Sequence, residues 1–394
     1  MPKESFAVAR RSFLRAVLLG GAASLSACSV TGLKNHEEPG APTPPATPAA
    51  NATTLGNGPV KVALILPLTQ GAGPSAVGVS MRNAAELAVL ESGANDITLL
   101  VKDDRSTPEG AKDAAQAAIS EGAELILGPL FAADVRAAAE VARPAGKPII
   151  AFSTDLSTAS RGVYLLSFLV EGYAERIVDY ASSQGKKSVA VLAPENDYAN
   201  VATGALQQAA ARRGMRVALI ERYKPGAVAA SAANIAALGA QIDCIFIPEQ
   251  AAAMPEVAKA LTANGIDSRK IQILGTGLWN DVRVLSLPAL QGAWFATPEN
   301  AGFTAFAQRY RAKFNSDPTR VATLAYDAVS LAAALARTQG ARRYSEDVLT
   351  SQTGFNGADG VFRFKADGSN ERGLAVVQIN NGTTTVISPA PRSL

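Results

Sequence analysis

Short apolar runs alternate with alanine-rich stretches through almost the whole chain from Val60 onward. The segments Val60–Leu66 and Ile97–Val101 are typical of buried strands, and the stretch between them favours a helix. Thr107, Pro108 and Glu109 then predict a helix start, because threonine caps well, proline fits the first turn and an acid complements the helix dipole. Strands that alternate with helices predict an α/β fold built on parallel sheets with helices on their faces.

The pattern restarts after Leu169, and one stretch of each half can be laid on the other. In 124–152 and in 243–275, an apolar strand that ends in proline leads through a helix to a second strand. We interpret the halves as two lobes of similar topology, with chance similarity between parallel strands as the alternative. Two consecutive helices and a glycine-rich segment at 354–360 suggest that the chain returns to one lobe and finishes in the other.

The first residues are typical of a bacterial signal peptide. Arg10 and Arg11 precede a short apolar stretch that is too short for a membrane span, which takes about 20 apolar residues. We predict a signal peptide over residues 1–27. Its paired arginines resemble a twin-arginine export signal, and general secretion stays open because Ala9 replaces the usual serine or threonine.

The run Leu25-Ser26-Ala27-Cys28 resembles a bacterial lipoprotein box, which implies a lipid thioether on Cys28 and anchoring to a membrane. An incidental cysteine is the alternative. Residues 28–58 are then predicted to form an extended tether, because the segment 37–54 is rich in proline, alanine and threonine and lacks apolar periodicity.

Charge and side-chain content exclude several kinds of function. The formal net charge is +3, and the signal peptide carries four basic residues and one acid, so the mature chain is near neutral. We expect no nucleic-acid partner, because binding to phosphates needs a concentrated basic surface. The single histidine, His36, falls in the tether, so the body has no imidazole for Ser-His-Asp or Cys-His catalysis or for a histidine metal site. We therefore expect no enzyme activity, no cofactor, no metal site, and a buried thiol at Cys244.

Several pieces of the sequence, in their order from residue 60 to about 382, resemble the type I periplasmic solute-binding proteins, the leucine/isoleucine/valine-binding family. The pieces are Val60–Leu68, Leu127–Leu130, Pro194–Tyr198, Ala325–Ala328 and Phe355–Phe364. Within that family, Gly122–Phe131 and Gly275–Trp279 look most like the lipoprotein branch called penicillin-binding-protein activators.

The resemblance implies two lobes, each a parallel sheet flanked by helices, with a cleft between them that closes on a ligand. It implies three crossings between the lobes, near Phe168, Thr297 and Thr353. The implied ranges are 59–168 and 298–353 for lobe one, and 169–297 and 354–394 for lobe two.

Ligands of open parallel sheets bind beyond the carboxyl ends of the strands, where helix N-termini offer free N–H groups. The candidate ligand-binding residues at these ends are Thr69, Gln70, Leu130, Phe131, Ser153, Thr154, Tyr198, Glu249 and Trp279. The resemblance adds Glu171, an acid near the first crossing. Two alternatives stay open: a solvated acid at a helix start for Glu249, and an aromatic that fills the gap between the lobes for Trp279.

Two functions compete on these residues. Amino-acid binders of the family place a serine or threonine after the Gly-x-Leu turn to hold the ligand carboxylate, and this chain has Ala132 and Ala133 there. A solute-binding lipoprotein would hand a small polar ligand, such as an amino acid, to an ABC importer permease, and Glu171 and Tyr198 favour it. A regulatory lipoprotein would bind a peptidoglycan synthase, with a cell-wall fragment or no ligand in the cleft, and Ala132 favours it.

Overall fold

The computed structural model describes residues 53–394. The predicted signal peptide at 1–27, the lipidation site Cys28 and the predicted tether up to residue 52 lie outside the described residues. Among the helices of residues 53–394, none is long and apolar enough to cross a membrane.

Strands and helices alternate in three successive stretches of the chain. The first contains β1 (Thr54–Leu55), β2 (Val60–Leu66), β3 (Thr69–Gln70), β4 (Gly73–Pro74), α1 (Ala76–Glu91), β5 (Ile97–Asp103), α2 (Pro108–Ser120), β6 (Leu125–Leu127), α3 (Ala132–Ala142), β7 (Ile149–Ala151) and β8 (Val163–Leu165). The second contains α4 (Val170–Ser183), β9 (Ser188–Pro194), α5 (Asp197–Arg212), β10 (Arg216–Tyr223), α6 (Val228–Ala236), β11 (Cys244–Phe246), α7 (Met254–Ala263), β12 (Gln272–Gly275), α8 (Val282–Leu285) and β13 (Trp294–Thr297). The third contains α9 (Asn300–Phe314), α10 (Ala322–Thr338), α11 (Glu346–Leu349), β14 (Phe355–Gly357), β15 (Gly360–Phe364), β16 (Asn370–Arg372), β17 (Ala375–Asn380) and β18 (Thr383–Ser388).

Two large sheets organise the fold. The first has the strand order β1-β5-β2-β6-β7-β8, parallel except for β1. The second has the order β10-β9-β11-β12-β13-β17-β18, in which β17 and β18 are antiparallel to their neighbours. The predicted α/β fold with two lobes, each a largely parallel sheet flanked by helices, is confirmed.

Each sheet separates two hydrophobic cores. Along β2, Val62 and Leu64 enter one core, whereas Ala63 and Ile65 enter the other. The strand therefore reads as an almost continuous apolar run, as expected for a parallel strand with helices on both faces. In the second sheet β9 alternates in the same way between two further cores.

The helix start predicted at Thr107 is confirmed. Its Oγ1 accepts a hydrogen bond of 3.0 Å from the backbone N–H of Gly110, and Pro108 is the first residue of α2. Cys244 is fully buried, as predicted, and burial raises the pKa of its thiol to about 12. A thiol in this position packs as a small apolar side chain.

The third crossing between the lobes lies later than the predicted position near Thr353. Phe362 and Phe364 of β15 pack in a core of the first sheet, where the ring centroid of Phe364 lies 5.6 Å from that of Tyr164. From this part of the chain, β17 and β18 join the second sheet. Residues 354–372 thus belong with lobe one, because the aromatic side chains of β15 are buried there, and the chain crosses between β16 and β17.

The folded body begins earlier than the predicted end of the tether at residue 58. Thr54 and Leu55 pair with Leu100 and Leu99 of β5, and so cover the edge of the first sheet. A two-residue strand is too short to leave a periodic pattern in the sequence, and its stability comes from the backbone groups of the edge strand that it pairs with.

Candidate ligand-binding site

Three segments of lobe two meet at the carboxyl end of its sheet. Tyr198, in the first turn of α5, donates a hydrogen bond of 2.8 Å from its hydroxyl to Oγ1 of Thr276, which follows β12. The next residue, Gly277, lies against Tyr173 of α4, so closely that a Cβ there would be 2.6 Å from Cζ of the ring. The starts of α4 and α5 and the end of β12 therefore form one surface.

Glu171, in the first turn of α4, contributes an acid to this surface. Its Oε2 atom is buried and has no hydrogen-bond partner within residues 53–394. Burial raises the pKa of the Glu171 carboxyl, and the negative charge of Asp155 raises it further. Asp155 is itself paired with Arg136 at 2.7 Å. Since a buried carboxylate oxygen without a partner is costly, the site favours a cation or a hydrogen-bond donor at this oxygen.

The two tyrosines are neutral hydroxyl groups at physiological pH. Burial raises the pKa of Tyr173 to about 12, although the positive charges of Arg320 and Arg372 lower it in part. Burial also raises the pKa of Tyr198, and the hydrogen bond to Thr276 lowers it in part. These aromatic rings offer a polar tip and a large apolar face to whatever occupies the space beside them.

Lobe one and the first crossing supply the opposite wall. The guanidinium carbons of Arg320 and Arg372 lie 4.9 Å and 4.8 Å from the centroid of the Phe168 ring. Arg320 donates to both carboxylate oxygens of Asp359 at 2.6 Å, whereas Arg372 lies 3.5 Å from Asp327. Both arginines stack on one aromatic ring. Arg320 has a close bidentate carboxylate partner, whereas the carboxylate beside Arg372 is farther away.

A cavity of about 520 Å³ lies beside part of these walls, and Tyr198, Thr276 and Arg320 are not among its lining residues. Lobe two lines it with α4 and with residues of the segment 389–394, and lobe one lines it with β16 and the segment before it. Its lining includes Leu156, Phe168, Glu171, Tyr173, Arg176 and Arg372. The space therefore lies at the crossings, between the lobes, with an acid, a base and aromatic rings on its walls.

The sequence model of the periplasmic binding proteins matches residues 59–384, most of the chain. This chain belongs to the periplasmic binding protein family. No functionally curated protein matches the chain in sequence.

Solved structures of similar fold come from several bacteria. A putative branched-chain amino acid ABC transporter protein from Rhodospirillum rubrum has a TM-score of 0.73 and 20% identity, over 83% of this chain and 99% of that one. A branched-chain amino acid substrate-binding protein from Streptococcus pneumoniae, in complex with isoleucine, has a TM-score of 0.58 and 22% identity, over 84% and 99%. A solute-binding protein from Rhodopseudomonas palustris, in complex with 3,4-dihydroxybenzoic acid, has a TM-score of 0.58 and 21% identity, over 84% and 96%. At these identities the likeness shows the fold.

In this binding protein the segment after β2 is held by hydrogen bonds to the end of β5, within lobe one. The backbone N–H of Thr69 donates to Oδ1 of Asp103 at 3.1 Å, and its hydroxyl donates to Oδ2 at 2.6 Å. Gln70 is exposed in the short hairpin of β3 and β4. Ligand contacts of Thr69 and Gln70 stay predictions, and the Thr69 hydroxyl is already used within its lobe.

The other predicted residues of lobe one take different positions. Leu130 is half-buried and packs against a core of the first sheet, whereas Phe131 is 41% exposed at the start of α3. Ser153 is buried, and its Oγ accepts a hydrogen bond of 3.1 Å from the N–H of Asp155. Thr154 is exposed beside it. Ligand contacts of these four residues stay predictions.

Glu249 is buried rather than solvated, and both of its carboxylate oxygens accept hydrogen bonds inside lobe two. It is 5% exposed, and Oε2 accepts a hydrogen bond of 2.6 Å from the hydroxyl of Tyr223. Its Oε1 accepts a second bond of 2.7 Å from the N–H of Gln250. Glu249 lines a smaller cavity of about 260 Å³ with Tyr223, at the ends of β10 and β11. The alternative of a solvated acid at a helix start is therefore wrong, and a ligand contact of Glu249 stays a prediction.

Trp279 is a core residue of lobe two, in contrast to its predicted position in the cleft. Its ring is fully buried, packs on the backbone of Gly275 and lies 6.3 Å from the ring centroid of Phe295. Gly275 has no side chain, so the indole folds back onto the end of β12 rather than outward. An aromatic residue after a strand can turn either way, and the sequence does not tell which.

Sequence reasoning found Glu171 and Tyr198 but missed most of the residues around them. Phe168 was predicted only as the position of a crossing, and Thr276 only as part of the segment Gly275–Trp279. Tyr173, Arg320 and Arg372 were not predicted as site residues. A signal for Tyr173 was available, because it falls on the same first turn of α4 as Glu171. The arginines could not be found, since they come from segments far apart in the chain.

Proposed function

We propose that this binding protein is an extracytoplasmic solute receptor, which closes its lobes on a small amino-acid-like ligand and presents it to an ABC importer permease. The observation that carries the proposal is the unpartnered, buried Oε2 of Glu171 in the wall of a cavity between the lobes. The proposed contact is between this carboxylate and a ligand ammonium group.

The chemistry of the wall supports such a ligand. An ammonium group next to Glu171 supplies the missing hydrogen-bond donor and a positive charge, which lowers the cost of burying the carboxylate. Tyr173 and Phe168 offer apolar faces to a hydrocarbon side chain. A volume of about 520 Å³ is within the range of small-molecule sites, roughly 300 to 1,000 Å³.

The solved relatives support the size of the ligand. Isoleucine and 3,4-dihydroxybenzoic acid, the ligands of two of them, are both small organic acids. Closure of the lobes would remove the ligand from water, since residues on both sides of the crossings line the cavity.

Cys28 is proposed as the membrane anchor of the mature chain. The lipoprotein box of residues 25–28 supports it, because two or more acyl chains hold a protein durably at a membrane surface. The proline-rich segment that follows would hold the lobes away from the lipid and leave the cleft open to diffusing ligand.

Regulation of a peptidoglycan synthase, as in the penicillin-binding-protein activators, is the second candidate. Two observations favour it: Ala132 and Ala133 offer no hydroxyl at the start of α3, and the Ser153 Oγ is engaged by the Asp155 N–H. A protein that works through its outer surface can lose such ligand contacts without loss of function.

A thermal-shift screen of the purified chain separates the two candidates. We expect amino acids to raise the melting temperature, since a ligand at 100 times its Kd adds about 2.7 kcal/mol to the free energy of unfolding. Glu171→Gln should reduce that shift, and Glu140→Gln, an exposed acid on α3, should leave it unchanged. A flat screen of amino acids, with co-purification of a cell-wall synthase, would instead establish the regulatory role.

A further inference from the structure

Arg372 is a buried arginine that makes one loose ion pair, with Asp327 at 3.5 Å. It is the last residue of β16, just before the third crossing, and its side chain is 4% exposed. Its Nε and both Nη atoms are shielded from solvent and make no close hydrogen bond within residues 53–394. A guanidinium group carries five N–H donors, so burial in this state leaves a large part of its hydrogen-bonding capacity unfilled.

The aromatic rings around Arg372 contact the faces of its guanidinium group and make no hydrogen bonds with the N–H groups at its edges. The rings of Phe168 and Phe362 lie 4.8 Å and 5.4 Å from the guanidinium carbon. Asp327 is the nearby acid, with Oδ2 at 3.5 Å from Nη2. Its other oxygen accepts a 2.6 Å hydrogen bond from the N–H of Ala358. Aromatic rings stack on the faces of a guanidinium and leave its in-plane donors for an anion.

Arg372 and Asp327 form a loose buried pair, with 3.5 Å between Nη2 and Oδ2. Burial raises the pKa of Asp327, and the positive charge of Arg372 opposes that effect. Arg320 is different, because Asp359 accepts from both of its terminal nitrogens at 2.6 Å. Arg320 and Arg372 thus both stack on the Phe168 ring. Only Arg320 has its paired N–H donors, the guanidinium fork, engaged by a carboxylate at hydrogen-bond distance.

The cavity described above borders Arg372. Its other basic side chains are already used or exposed: Arg176 donates to the carbonyl of Leu374 and to Ser388, and Lys365 is exposed. The charged side chains of the lining are the acids Glu171, Glu175, Asp179 and Glu371, and the bases Arg176, Lys365 and Arg372. With four acids against three bases, repulsion grows with the charge of an anion, so this lining disfavours a doubly charged anion such as phosphate more than a singly charged one.

We infer that Arg372 is the anion-binding residue of this cavity and takes a ligand carboxylate in its guanidinium fork. The inference rests on the proposed function, since it places the ligand in the same cavity as Glu171, and it adds a second, opposite charge to the site. Arg372 belongs to lobe one and Tyr173, whose ring lies within range of its charge, belongs to lobe two.

The test compares leucine, which has two charged groups, with probes that carry one charged group each. Isovalerate and benzoate have a carboxylate but no ammonium group, leucinamide has an ammonium but no carboxylate, and leucine has both. Calorimetry with the purified full chain should show binding of isovalerate or benzoate, and tighter binding of leucine than of leucinamide. Loss of a charge-assisted bidentate contact corresponds to about tenfold or more in Kd.

Substitutions test whether binding of the carboxylate probes depends on Arg372. Arg372→Gln should weaken binding of the carboxylate probes by about tenfold or more and leave binding of leucinamide within about twofold. Arg337→Gln, the same change on α10, should leave all four probes unchanged, because Arg337 is exposed, pairs with Asp96 at 3.0 Å and does not line the cavity. Arg372→Lys keeps the charge but not the fork and should fall between the two.

The outcomes separate this inference from the proposed function. Binding of leucinamide without binding of either carboxylate probe would overturn the role of Arg372 and leave the ammonium site at Glu171. Binding of carboxylates that Arg372→Gln does not weaken would do the same. Carboxylate binding that depends on Arg372, without any binding of leucinamide, supports the inference and overturns the ammonium contact. The comparison of probes on the unaltered chain holds even if a variant fails to fold.

Discussion

The hydroxyl of Tyr198 donates a 2.8 Å hydrogen bond to Oγ1 of Thr276, and this contact joins the start of α5 to the loop after β12. Both residues sit at the carboxyl end of the second sheet, beside Tyr173 and Glu171. The wall of the cleft is therefore braced within lobe two before any ligand arrives.

Tyr198→Phe should lower the free energy of unfolding by about 1 kcal/mol, because it removes one partly buried hydrogen bond and little volume. Thr276→Val should cost a similar amount in urea denaturation. The double variant should lose less than the sum of the two, since each single change already breaks the same bond. Strict additivity would show that the two hydroxyls do not interact.

Gly277→Ala should destabilise the chain by roughly 1 to 3 kcal/mol, because the new Cβ would lie 2.6 Å from Cζ of Tyr173 and the ring has to move. Tyr173→Leu removes that atom and should relieve the penalty. Gly204→Ala is the matched control: it lies inside α5 with nothing within 4 Å of the new Cβ, and should stabilise the helix by about 0.5 to 1 kcal/mol. Equal effects at both glycines would contradict the close packing at Gly277.

Asp359→Asn should destabilise lobe one by about 2 kcal/mol, because it removes the charge that Arg320 meets with two hydrogen bonds of 2.6 Å. The usual loss on breaking a buried pair is about 3 to 5 kcal/mol, and the Arg320 side chain is 33% exposed, so water recovers part of it. Asp113→Asn breaks an exposed pair with Arg105 and should change the urea midpoint little. Similar losses from both variants would contradict the buried role of Asp359.

Stability should fall as the pH rises from 5 to 8. Asp104 is fully buried, and burial raises its pKa from 3.8 to about 7, with further increases from Asp134 and Asp103. Between these values the folded chain keeps a proton that the unfolded chain has lost, so the proton's stabilising effect is present at low pH and disappears as the pH passes 7.

Asp104→Asn should flatten that pH dependence in urea unfolding and should make the chain more stable than the parent at pH 8. A slope remains, because Asp327 has a similarly raised pKa of about 7. An unchanged slope in the variant would show that Asp104 does not hold the proton.

Cys28→Ser should release the protein from the membrane fraction into the soluble periplasmic fraction, because it removes the acceptor of the proposed lipid. Cys244→Ser, a change at the buried thiol, should leave membrane association intact. Membrane association that survives Cys28→Ser would exclude lipid at this residue.

Most of the fold could be predicted from the sequence, because its strands and helices depend on local sequence patterns. The strand at Val60–Leu66 and the helix start at Thr107 depend on apolar runs and on capping, which neighbouring residues decide. The predicted position of the third crossing was wrong because it depends on contacts between residues that are distant in the sequence. The pattern at 361–364 shows a strand, but whether its phenylalanines pack against lobe one or lobe two depends on Tyr164, some 200 residues earlier.

The residues of the candidate site also fall into those that local sequence predicts and those that only tertiary contacts decide. Glu171 and Tyr198 could be named because each falls in the first turn of a helix that follows a crossing or a strand, which is a local property. Trp279 could not be placed, since an indole beside Gly275 is free to fold into the core or out of it. Glu249 could not be judged without Tyr223, which comes from another strand.

The sequence by itself determined the α/β class, the two lobes and the order of most strands and helices, because periodicity and capping residues are properties of short segments. The tertiary structure decided which side chains face the cavity and which of them lack partners. Arg372 stands between Phe168 and Phe362 with its fork unfilled only because crossings far apart in the chain meet at one place. Burial and hydrogen-bond satisfaction are relations between distant residues, and those relations exist once the chain is folded.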